Sequence, residues 1–176
     1  MSRLLRSGNA PALWLSLALA MLIAGCWASK FTLVSPDKAR VDRKFVGDWN
    51  AVNPGGDQAL LVIRNIDDHL YYVETRDQKD PAQVSRYVGM MADVNGATFA
   101  HLRPLSDDGS IPEDWLLMRV AMGEDGKLTI DQLDEQFMNQ HQIESAQQLR
   151  QILEQNLNKE AMYDKDERIT ATRVVK

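Results

Sequence analysis

Beyond residue 45, apolar and polar residues alternate in short runs. Seven runs of strand character follow one another at 46–52, 59–66, 70–76, 83–94, 97–104, 114–122 and 127–133, and an eighth, 168–175, comes near the C-terminus. Turn-forming clusters separate them: Asn53-Pro54-Gly55-Gly56, Asp67-Asp68, Asn95-Gly96, Asp107-Asp108-Gly109 and Glu124-Asp125-Gly126. Asn95-Gly96 is the strongest of these, because both central positions of a type I′ turn require φ > 0. Links this short make sequential strands antiparallel neighbours. The pattern therefore predicts a mainly β fold, an antiparallel meander or (half-)barrel of about eight strands.

Two segments depart from simple alternation. In 115–122, Leu116, Met118, Val120 and Met122 form one apolar face, while Trp115, Leu117, Arg119 and Ala121 form another that is also partly apolar. A strand apolar on both faces predicts a cover on each side of the sheet, or closure of the sheet on itself. In the second segment, Ala146, Leu149, Ile152, Leu153 and Leu157 recur at helical spacing, and Ser145 with Gln148 forms a capping box. This predicts one amphipathic helix over 146–156, before the last strand, with its stripe lying on the sheet or plugging a barrel end. Residues 136–141 read as a short helical turn, 37–44 as a charged helical turn, and 27–36 as a short tether.

The N-terminus has its own grammar. Arg3 and Arg6 precede an uncharged run over 7–29 whose apolar centre is 10–24. That centre is shorter than the ~20 residues a membrane-spanning helix needs, although the uncharged flanks keep a spanning anchor as the competing reading. The run ends in Leu22-Ile23-Ala24-Gly25-Cys26. This resembles the lipobox of bacterial lipoproteins, in which small residues admit a peptidase and the Cys thiol takes a diacylglycerol before cleavage. The resemblance implies a cleaved signal peptide over 1–25, an acylated tether over 26–36 and a single domain over 37–176. It also implies covalent diacylglycerol and N-acyl lipid on Cys26, and a membrane as partner. Trp27, not Asp, stands at the second mature position, which in such lipoproteins favours the periplasmic face of the outer membrane.

Phe45-Val46-Gly47-Asp48-Trp49 opens the first strand and resembles the Gly-x-Trp motif of lipocalins and related small barrels. The resemblance implies that Trp49 closes a barrel floor beside Gly47, with Arg173 of the last strand stacked over the indole, a cation–π contact of ~0.5–2 kcal/mol. One departure is the predicted helix, which precedes the last strand where lipocalins place it after. The chain also resembles small proteobacterial lipoproteins in which such a strand follows the lipobox and a Thr-Ala-Thr-like strand ends the chain. That resemblance implies no activity.

Composition narrows the chemistry. The 176 residues contain 20 Lys+Arg, 25 Asp+Glu, 3 His and 1 Cys, for a net charge of −5, with 44% hydrophobic and 26% charged residues. These values suit one globular domain and oppose a nucleic-acid binder. One Cys excludes a disulfide framework and a Cys-based zinc cluster, and acylation consumes that thiol. His69, His101 and His141 show no metal-ligand spacing and read as surface or half-buried residues. Glu124-Asp125-Gly126 fails as an EF-hand, because Ala121, Gly123 and Gln132 fall where ligands belong. No Gly-x-Ser-x-Gly or phosphate loop is present. Tyr72, Met90, Trp115 and Met118 belong to a pool of aromatic and Met side chains that either fills a core or lines an apolar pocket. The function expected is that of a non-catalytic accessory or interaction lipoprotein facing the periplasm. The alternative is a barrel that binds a lipid or other apolar molecule, and a hydrolase without a recognised motif ranks third.

Overall fold

In the computed structural model, residues 27–106, 110 and 112–175 are described. The leader, Leu22 to Gly25 of the lipobox, Cys26 and the predicted turn at 107–109 lie outside them. The strands are β1 Ala28–Ser29, β2 Gly47–Val52, β3 Gln58–Asn65, β4 Tyr71–Asp77, β5 Val84–Val94, β6 Ala97–Pro104, β7 Trp115–Met122, β8 Leu128–Gln132 and β9 Ile169–Arg173. Helices α1, Glu135–Asn139, and α2, Ala146–Asn156, and a 3₁₀ turn at Glu160–Met162 lie between β8 and β9. As the pattern predicts, one amphipathic helix of full length precedes the last strand.

Each strand from β2 to β9 pairs antiparallel with the next, and β9 pairs back onto β2. Ala171 is the closing residue, standing opposite Ala51 on one side and Leu128 on the other. The wall is therefore a closed barrel of eight strands, not a half-barrel. Asn95 (φ 49°) and Gly96 (φ 83°) make the β5–β6 hairpin, both at positive φ as its sequence requires.

The apolar residues form two main cores separated by the wall. Inside the barrel are Trp49, Leu61, Ile63, Tyr71, Val73, Tyr87, Val120 and Ile169. Outside β5–β7 are Leu33, Val94, Phe99, Leu117, Met138, Leu149, Leu153 and Met162. The stripe of α2 thus lies on the outer face of the sheet and does not plug an end. Ser145 caps α2 by accepting from the Gln148 N–H. The Gln148 carbonyl reaches back to the Glu144 N–H, one residue earlier than a capping box asks.

The tether expected over 26–36 is corrected for its described part. Ala28 and Ser29 pair with Leu116 and Trp115 of β7, continuing the edge that β8 leaves after Gln132. Phe31, Leu33 and Val34 pack onto the outer core. Leu33 is held at both backbone groups, since its N–H donates to His101 Nε2 (3.2 Å) and its C=O accepts from Arg150 Nη2 (3.0 Å). An arm with three apolar side chains and a free ridge of sheet to lie on buries them instead of staying solvated. In 37–44, one turn closes on the Ser35 carbonyl, and a second closes on the Asp42 and Arg43 carbonyls just before β2.

Candidate functional site

One end of the barrel is closed by the three residues the sequence groups there. Trp49 is fully buried on the inner face of β2, and its Nε1 donates to the Phe45 carbonyl at 3.0 Å. Arg173 stands opposite it in register, with the guanidinium carbon 4.2 Å from the ring centroid. Two carbonyls, Val46 (2.8 Å) and Lys44 (2.7 Å), accept from its Nη1 and Nη2 and fix the guanidinium over the indole. Gly47 is required by this approach, because a Cβ there would sit 2.4 Å from Arg173 Nη1.

Above this floor lies an apolar cavity of about 80 Å³. Ile63, Tyr71, Tyr87, Met91, Leu116 and Met118 contribute to its wall. Gly89 adds room, since a Cβ there would meet the Leu102 side chain at 2.6 Å. The Tyr71 phenol points to the chain before β2, accepting from the Asp42 N–H at 2.5 Å. Burial raises the Tyr71 pKa above its ordinary value, so it remains a neutral hydroxyl.

Of the four candidate pocket residues, Met118 lines the cavity. Met90 borders it, but its side chain packs with Ala39 and Trp115 on the outside. Tyr72 and Trp115 are corrected. Side chains alternate along a strand, and with Tyr71 and Leu116 facing in, Tyr72 and Trp115 face out. Tyr72 donates to Glu74 Oε2 (2.6 Å) in an outer cluster completed by Arg76 (2.6 Å) and Arg86 (3.3 Å). The Tyr72 hydroxyl, ahead of the two arginines, holds the Glu74 carboxyl below its usual value. Trp115 lies beneath the Arg103 guanidinium, 4.0 Å from the ring centroid.

His69 and His141 are half-buried, as expected, but His101 is not. His101 is fully buried on the outer face of β6, against Trp115. Its Nε2 accepts from the arm, so the proton sits on Nδ1, which has no hydrogen-bond partner. Desolvation lowers its pKa to about 4. Nothing in the local sequence Ala97-Thr98-Phe99-Ala100-His101-Leu102 marks this position; its burial comes from the arm, 68 residues away in the chain. His69 lies against the Ala39 carbonyl (2.7 Å), and His141 packs edge-on to Phe137. Among the described residues, no three His, Cys, Asp or Glu side chains converge as a metal site would need. No helix among them is long and apolar enough to cross a membrane.

The fold and site define a closed, eight-stranded antiparallel barrel with an apolar interior and an arginine-capped tryptophan at one end. Comparison with protein-family models, curated proteins and solved structures finds no match to this chain.

Proposed function

We propose that the chain is a cell-envelope lipoprotein, acylated at Cys26 after loss of residues 1–25, with a lipocalin-like barrel facing the periplasm from the outer membrane. It works without catalysis, through its surface. The observation that carries the choice among functions is the interior, which is almost wholly apolar and leaves a cavity of only about 80 Å³. Small-molecule sites occupy roughly 300–1,000 Å³, so this barrel is filled mainly by its own side chains. The Gly47, Trp49 and Arg173 floor supports the lipocalin-like reading.

A second reading, a binder of a slender apolar group, is favoured by Met91 and Met118 in the cavity wall. Unbranched Met side chains rearrange more readily than branched ones to admit an occupant.

Palmitate labelling of the full chain in a bacterial host tests the anchor. The parent protein is expected to take label and Cys26→Ser to take none; equal labelling of the two overturns the lipoprotein reading. Native mass spectrometry of the detergent-purified protein separates the two roles. A mass equal to polypeptide plus anchor supports the filled barrel, and an excess that is lost on denaturation supports the binder.

A further inference from the structure

On the outer wall, β7 and residues 157–168 enclose an open polar cleft of about 480 Å³. Arg119, Lys159, Lys165 and Arg168 line it, together with Tyr163 and a single acid, Glu160. Two of these cations already have carboxylate partners. Lys165 Nζ meets Glu160 at 2.5 Å, and Arg168 Nε meets Asp131, just below the cleft, at 2.5 Å. Arg119 and Lys159 make no ion pair with any described residue. Arg119 is half-buried, with its guanidinium carbon 5.4 Å from the Tyr163 ring centroid and Nη1 donating to the phenol oxygen at 3.4 Å. Tyr163 is itself fixed, donating to the Leu157 carbonyl at 3.0 Å. In a chain of net charge −5 the cleft is a local reversal of sign, and its most constrained cation has guanidinium donors still unused.

A planar guanidinium pre-set on an aromatic ring, with an ammonium nearby, matches the oxygens of a phosphoryl group. The cleft also stands near the start of the described chain. The Leu117 N–H donates to the Trp27 carbonyl at 3.2 Å, and Arg119 follows Leu117 by two residues on the same face of β7, roughly 7 Å along the strand. Cys26 is one peptide unit from Trp27, about 3.8 Å between Cα atoms. If Cys26 carries the lipid, the cleft lies close to the phosphate layer of the membrane.

We propose that this cleft binds a phosphoryl anion through Arg119 and Lys159, supplied either by a phospholipid headgroup or by free phosphate. Only the headgroup source rests on the lipoprotein reading; the site itself does not, so a failed palmitate label and a failed cleft are separate results. The test is titration calorimetry on the full chain in non-ionic detergent, with inorganic phosphate and with glycerophosphoglycerol, a soluble headgroup diester. Lys159→Gln removes an exposed ammonium that pairs with no described side chain, so the fold is retained, and Arg119→Gln removes the guanidinium held over Tyr163. Saturable binding weakened tenfold or more by each variant is expected. Binding of the diester alone assigns a headgroup, and binding of phosphate as well assigns a free anion. No saturable heat with either probe, or variants that bind as the parent does, would overturn the proposal.

Discussion

The two halves of the barrel wall are built alike on the inside and differently on the outside. Along β3 and β4 the outward positions carry Leu60, Val62, Arg64, Tyr72, Glu74 and Arg76, none of them covered by the arm or the helices, with a polar cluster around Glu74. Along β5–β7 the outward positions carry Met90, Ala92, Val94, Phe99, His101 and Leu117, all buried beneath the arm and the helices. The difference shows what a strand's second face responds to. The first half needs chiefly an interior, so β4 alternates apolar and polar residues and β3 leaves its outward Leu60 and Val62 only half-buried; the second needs an interior and a cover.

Substitutions on the two outer faces sharpen this contrast. Phe99→Ala is expected to destabilise by ~3–5 kcal/mol, as for a fully buried aromatic, whereas Tyr72→Ala on the uncovered half is expected to cost about 1 kcal/mol. Equal shifts in urea midpoint for the pair would break the comparison. Inside the floor, Trp49→Ala should also cost ~3–5 kcal/mol, and an unchanged melting temperature would refute the closed end described for it. Leu33→Ala tests the arm, with an expected loss of about 2 kcal/mol and faster proteolysis near residue 30.

The covered half should also respond to acid. His101 holds its proton less well folded than unfolded, so the unfolded state binds more protons once pH falls below about 6.5. Stability contributed by the neutral ring is complete above that pH and declines toward pH 4, by roughly 2 kcal/mol between pH 7 and pH 5. Denaturant titrations at the two pH values should show this slope, and His101→Gln should lose most of it. An effect as small as that of Tyr72→Ala, about 1 kcal/mol, is expected for Arg173→Gln, from the loss of the guanidinium over Trp49. A melting curve for that variant overlapping the parent's would mean that the stacking contributes nothing.

Strand positions and α2 were legible because local alternation and helical spacing extend over many residues, and the bounds at 97–104 and 146–156 coincide with β6 and α2. The pairing of Trp49 with Arg173 was legible through a motif, not through periodicity. Strand parity was harder to assign. Tyr71 and Tyr72 are adjacent and chemically alike, and only the register with Ile63 and Val73 decides which of them points inward. The docking of residues 27–34 was not legible, since so few apolar residues carry no period and their partners are on β6, β7 and α2. The cationic cleft escaped for the same reason: Arg119 and Lys159 are forty residues apart and line one cleft only because residues 157–168 fold back across β7.

The docked arm has a consequence for reach. A slack ten-residue linker would let a domain explore up to roughly 35 Å from its point of attachment. Here the chain is joined to the barrel from Trp27 onward, through the Leu117 N–H and then β1. Held at Cys26 by the proposed lipid, such a barrel would have almost no radial freedom. It would then search by lateral diffusion with one flank turned to the surface, and a pull on its N-terminus would load β7 directly.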